Sequence, residues 1–155
     1  MQGKHNIIEG LNTLLAYELA AMDQYFIHSQ MYLDWGLNKL YERINHEFDD
    51  EKGHATKLIE RILFLEGTPD MQTRVGFMVG KDVPEMLASD LRVEYEVANK
   101  LREVMALAET EQDYVTRDIL LELLDDTEVD HAYWLEQQLG LIKRVGLANY
   151  LQSQM

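Results

Sequence analysis

Two of the five histidines follow a glutamate by three residues, in Glu51-Lys52-Gly53-His54 and Glu128-Val129-Asp130-His131. On a helix, positions three apart share a face, so a carboxylate and an imidazole can reach one ion together. Either motif alone is weak, because glutamate is common in helices. Their setting is stronger: Glu18 precedes Glu51 by 33 residues, and Glu94 precedes Glu128 by 34. The chain therefore reads as two related hairpins, each giving one Glu from its first helix and Glu-x-x-His from its second. The product is a site of pseudo-twofold symmetry at the centre of a bundle.

A glutamate on a bundle helix is usually solvated, but these positions fit that reading poorly. Glu18 lies between Leu15 and Leu19 and four residues before Met22, while Glu94 lies three beyond Leu91 and four before Ala98. Both fall close to the buried stripe, where a carboxylate must be paired, protonated or bound to a metal. Four carboxylates and two imidazoles cannot satisfy one another, because the imidazoles supply too few donors. Four carboxylates do balance two divalent cations, or two ferric ions joined by an oxo bridge. Such a site is neutral before and after oxidation, which lowers the cost of burying it. Carboxylate-rich ligation with one imidazole per metal suits iron or manganese, whereas zinc usually takes a richer nitrogen or sulfur set.

Four long helices must position these residues. The first is predicted from about Asn6 to Asp34, through Ile7, Leu11, Leu14, Leu15, Leu19, Met22 and Phe26 at steps of three and four. Gly36 breaks it, and a second runs from about Asn38 to Glu66 before Gly67-Thr68-Pro69-Asp70 ends it. Residues 71–82 read as a connection, and Val83-Pro84-Glu85 as a helix start. The third helix runs to about Thr110, and the fourth from about Gln112 to Gln138, stopped by Gly140. A short segment, Leu147 to Met155, follows Gly146. Short joints imply antiparallel hairpins, and the long middle joint implies a crossover. The expectation is one all-α domain over 1–155: an antiparallel four-helix bundle with a long crossover between helices 2 and 3 and a short fifth helix.

Composition narrows the function. With 46% hydrophobic and 27% charged residues, the 155-residue chain has the balance of a soluble protein with a substantial core. It has no cysteine, which removes disulfides, thiolate metal sites and thiol nucleophiles and suits a reducing cytoplasm. The formal charge of −14 argues against binding nucleic acid and suits attraction of cations. No signal-peptide pattern or membrane-spanning apolar run is expected.

The chain resembles a bacterioferritin over essentially its whole length. The resemblance is carried by Leu11-Asn12, Glu18-Leu19, Asp23-Gln24-Tyr25-Phe26-Ile27-His28, Asp34-Trp35-Gly36-Leu37, the run from Lys57 to Gly67, Asp113-Tyr114-Val115 and Asn149-Tyr150-Leu151-Gln152. It implies a ferritin-like bundle in which Glu18, Glu51, His54, Glu94, Glu128 and His131 form a di-iron centre. Glu51 and Glu128 would bridge the metals, with Glu18 and His54, and Glu94 and His131, as terminal pairs. The implied activity is a ferroxidase: Fe(II) is oxidised by O2 or H2O2 and stored as a ferric mineral inside a cytoplasmic shell of 24 subunits. A ferredoxin-type reductant would serve iron release. His46 and Asp50 match positions where family members bind iron on the cavity wall. Tyr25 would sit beside the di-iron site, and Asn149 and Gln152 would line the four-fold channels.

One departure concerns haem. Members that bind it place a methionine directly after the Glu of the first motif, where this chain has Lys52. The subunit thus resembles the type lacking the haem-ligating methionine. A shell of this chain alone is expected to bind haem b poorly, while a mixed shell could acquire it through a methionine-bearing partner subunit.

Other residues draw plainer readings: His5 as solvated, His28 and Met31 as packing or interface residues, and Trp35 and Trp134 as packing residues near helix ends. Competing functions also weigh less. A di-iron peroxidase or oxygenase would not need the short last helix. A DNA-protecting miniferritin places its metals between subunits and often has basic tails, and a purely structural bundle leaves the six residues unexplained.

Overall fold

The structure, a computed structural model, describes residues 1–155. Every regular element is helical: α1 (His5–Asp34), α2 (Asn38–Phe64), α3 (Val83–Thr110), α4 (Tyr114–Asp126), a π turn (Thr127–Ala132), α5 (Tyr133–Val145) and α6 (Leu147–Ser153). α4, the π turn and α5 form one uninterrupted helical rod, so the bundle has four long members, and α6 is the expected short fifth helix. Three-residue joints connect α1 to α2 and α3 to α4, and the crossover spans 65–82.

Local chemistry explains most boundaries. Asp82 caps α3, its side chain accepting from the Glu85 amide, with Pro84 in the first turn. Asp113 caps α4 through the Thr116 amide and is also held by Arg61. α1 ends at Gly36 (φ 75°), where the Leu37 amide donates back to the Tyr32 carbonyl, a Schellman closure. The crossover is tied to the bundle by Asn12, which bonds the Thr68 carbonyl and the Asp70 amide.

Two expectations need correction. Gly140 does not stop the fourth rod; the helix passes it and ends at Val145, before Gly146. A single helical glycine costs only about 1 kcal/mol against alanine, and Leu135 and Gln138 are buried just ahead of it. Gly146 has φ 83° and ψ 152°, a conformation that side chains other than glycine's rarely allow. On α1, Phe26 leaves the predicted stripe: it is exposed and packs edge-on against Phe48, and Tyr25, His28 and Tyr32 take the inner positions.

Candidate metal centre

Each rod carries a buried stripe at helical spacing, and each stripe is apolar at both ends and polar in the middle. On α2 the buried positions are Leu40, Ile44, Glu47, Glu51, His54, Ala55, Leu58 and Ile62. Glu18 interrupts α1 between Leu15 and Ala21, Glu94 interrupts α3 between Asp90 and Val97, and His131 lies between Leu123 and Leu135 on the fourth rod. The apolar core is accordingly two clusters, one around Leu11, Leu58 and Leu101 and the other around Tyr32, Ile44 and Leu87. A belt of ionisable groups crosses the bundle between them.

Glu51 is the hub of that belt. Its Oε2 lies 3.3 Å from His54 Nδ1, and its Oε1 lies 3.0 Å from His131 Nδ1. Glu18 approaches His54 Nδ1 at 3.6 Å, and Glu94 approaches His131 Nδ1 at 3.3 Å. The two imidazoles are 5.6 Å apart and 20° from parallel. Two ligand groups result, Glu18–Glu51–His54 and Glu51–Glu94–His131, each with its donor atoms within 4.8 Å of one another. Both oxygens of Glu18 and of Glu51, one oxygen of Glu94 and both Nδ1 atoms are buried without a hydrogen-bond partner. They meet only one another, as Glu–His pairs at 3.0–3.6 Å, and buried charges without further hydrogen bonds are costly. Their convergence on two points is the donor arrangement that a pair of oxygen- and nitrogen-preferring cations would satisfy.

Glu128 departs from the expectation. Its side chain is about half exposed and forms an ion pair with Arg102 of α3 on the bundle surface. The cause is the π turn. Its i→i+5 hydrogen bonds take more residues per turn than an α-helix, so the residue beneath His131 is four back rather than three. That residue is Thr127, fully buried. Five of the six expected residues therefore converge, and the sixth stands outside them.

Burial sets the protonation of the belt. Desolvation, reinforced by Glu51, holds Glu18 well above the ordinary carboxylate range. Burial and Glu94 press Glu51 upward as well, but the neighbouring Glu18 carboxyl and the two imidazoles outweigh them and keep it low. Burial likewise raises Glu94 despite His131. Burial pulls His54 down, but Asp126, Glu18 and Glu51 overcome it and push the imidazole up to about 12. His131 is also raised, because Glu94, Glu47 and Glu51 outweigh its burial. The belt thus holds protons at neutral pH on groups that a cation would have to displace.

Several participants are not in the Glu-x-x-His pattern. His54 Nε2 is 2.6 Å from Asp126 Oδ2. His131 Nε2 is 2.7 Å from Glu47 Oε2 and hydrogen-bonds Asp50 Oδ2 at 3.3 Å. Carboxylates in these places fix the tautomer of a metal-binding histidine and aim its other nitrogen. Glu47 stands four residues before Glu51, on the same face, which is a signal the sequence carries. Asp126 looks like part of a surface acidic run and carries none. Tyr25 is buried beside the belt, and its hydroxyl donates to Glu94. His46 is mostly exposed and pairs with Asp50 at 3.3 Å.

His28 is a buried packing residue: its Nδ1 is 2.8 Å from Asp90, which also accepts from Gln24, and its Nε2 accepts from the Gly80 amide. Trp35 is substantially exposed. Trp134 follows the π turn in mid-rod rather than standing at a helix end. Lys52, Asn149 and Gln152 are exposed.

Known proteins supply an independent comparison. The family model for the ferritin-like domain matches residues 8–145. A protein named bacterial ferritin from Synechocystis sp. is 63% identical over 155 residues, covering 100% of this chain and 99% of the relative. Another bacterial ferritin, from Pseudomonas aeruginosa, is 59% identical over 155 residues and the whole of both chains. A bacterioferritin from Brucella melitensis is 38% identical over 152 residues, with 98% and 94% covered. Since the matched span runs from the first turn of α1 to the last residue of α5, the chain belongs to the ferritin-like family.

Proposed function

We propose that this chain is an iron-storage subunit that oxidises Fe(II) at a two-iron centre within its own bundle. The observation that carries the reading is the convergence of buried oxygens and Nδ1 atoms of Glu18, Glu51, His54, Glu94 and His131, which lack well-formed hydrogen bonds, on two points. Two ferrous ions bound there as substrate would share Glu51, one beside Glu18 and His54, the other beside Glu94 and His131. Glu128 completes the set as a second bridge once its side chain leaves Arg102 and turns inward. Two Fe(II) give up two electrons, which with two protons reduce O2 to H2O2, or reduce H2O2 to water. His54 and His131, charged in the absence of metal, would release protons on binding.

The product would enter a cavity enclosed by 24 copies, with residues 1–155 of each forming one di-iron domain. His46 and Asp50 are proposed as cavity-wall iron sites, and a ferredoxin-type protein as reductant for release. With Lys52 exposed on α2, a shell of this chain alone would bind haem b poorly, and haem would come from a methionine-bearing second subunit. No helix is long and apolar enough to cross a membrane, and a cytoplasmic shell without membrane or nucleic-acid partners is the proposed setting.

Oxygen uptake during stepwise anaerobic Fe(II) addition to the purified, metal-free assembly tests the reading. Fast uptake that breaks at two Fe(II) per chain, and is lost in Glu51→Ala/His54→Ala, supports it. Slow uptake without a break, unchanged in the double variant, overturns it.

A further inference from the structure

We propose that Arg43 is a positioning residue that clamps the π turn and fixes the orientation of His131. The proposal rests on the metal-centre reading above.

Three contacts of one guanidinium carry it. Arg43 Nε lies 2.5 Å from Glu47 Oε1, one helical turn further along α2. Its Nη2 donates to the backbone carbonyl of Asp130, inside the π turn, at 2.8 Å. Its carbon centre sits 4.7 Å from the middle of the Trp134 ring, which follows that turn. Glu47 is only 2% exposed, and its other oxygen faces His131 Nε2 at 2.7 Å.

A π turn breaks the regular i→i+4 ladder, and backbone carbonyls freed there need donors from elsewhere. A guanidinium presents several donors in a rigid plane and stacks on aromatic faces, so it can hold a carboxylate, a carbonyl and an indole at once; an ammonium cannot. With Glu47 held by Arg43, His131 keeps the proton on Nε2 when a cation displaces the one on Nδ1, and the freed Nδ1 is already aimed at the space beside Glu51 and Glu94. His54 has no equivalent: its brace is Asp126, whose side chain is 38% exposed. Arg43 therefore acts on one half of the centre and not on the other.

The test is Co(II) titration of the metal-free assembly, read by d–d absorption, with hydrogen exchange of the amides at 127–132 measured before metal is added. A His131→Ala variant identifies which binding event belongs to that half. In Arg43→Ala, Co(II) binding at the His131 half should weaken by about 10–100-fold, with the His54 half unchanged. Exchange at 127–132 should quicken in Arg43→Ala, with the amides of α1 unaffected. Arg43→Lys should leave the His131 half at least about threefold weaker than wild type, since the fork is lost though the charge is kept. Unchanged affinity and exchange in Arg43→Ala would overturn the proposal, and so would full rescue by lysine. If Arg43→Ala does not fold, Arg43→Gln carries the same comparison. If wild-type protein takes up no Co(II), the metal-centre reading falls instead. The clamp is then decided by exchange at 127–132 alone, faster in the variant supporting it and unchanged overturning it.

Discussion

The two Glu-x-x-His motifs have the same spacing and different structures. In α2, regular α geometry turns Glu51 and His54 inward together, and both are buried. In the fourth rod the motif lies inside a π turn, which keeps His131 inward and sends Glu128 to Arg102 at the surface. The braces differ in the opposite sense: partly exposed Asp126 holds His54, whereas the buried Glu47 holds His131. The proposed ligand set thus rests on one half of regular α geometry and one half built on an irregular turn. If the proposed two-metal oxidation holds, adjustment on binding falls in the second half.

Removing the shared ligand should have the largest effect. Glu51→Ala takes one donor from both halves, and fast Fe(II) oxidation, followed by stopped-flow absorbance, should fall by at least about 100-fold, beyond the loss typical of supporting residues. Next come the two histidines taken singly. His54→Ala and His131→Ala should each reduce tight metal binding, measured by calorimetry, from two ions per chain to one. If either abolishes both, the halves do not bind independently.

Acidity gives the next effect. Glu18, Glu94, His54 and His131 all sit above their ordinary values without metal, so binding must expel protons. Metal affinity should therefore rise with pH through the neutral range, with protons released in an unbuffered titration; affinity flat with pH would contradict the assignment.

Smaller still is the Arg102 pair. An exposed ion pair is worth at most about 1 kcal/mol. Arg102→Ala should therefore tighten binding at the His131 half by no more than about fivefold, through freer rotation of Glu128. At the low end, Gly146→Ala should lower the melting temperature by roughly 2–4 °C per kcal/mol of backbone strain and leave metal binding unchanged.

Much of this molecule is legible in its residues. α1, α2 and α3 begin and end within about two residues of expectation, because strong apolar periodicity meets clear punctuation at Gly36, Asp82 and Pro84. Glu51 and His54 are legible from their three-residue spacing, and Glu18 and Glu94 from their place beside the apolar stripe. What could not be read follows from one assumption, that i and i+3 share a face everywhere. No local signal announces the π turn, so the spacing points to Glu128 as the inward residue where the structure has Thr127. Among the buried positions of the fourth rod, Leu123, Thr127, His131 and Leu135 stand four apart, with Ala132 buried beside His131. Three successive steps of four drift off an α stripe and are absorbed by the wider turn. The contacts of Asp126 with His54 and of Arg43 with Asp130 and Trp134 join residues far apart in sequence, which no local pattern reveals. Gly140 is a weak helix former and not a stop, so the rod runs through it to Val145.

The most direct test is anomalous diffraction at the iron edge from crystals of the assembly soaked anaerobically in Fe(II). The account predicts two peaks in every subunit, one beside Glu18 and His54 and one beside Glu94 and His131, with Glu51 between them and Glu128 turned in from Arg102. A belt without iron, or a single peak with Glu128 still on Arg102, would contradict it.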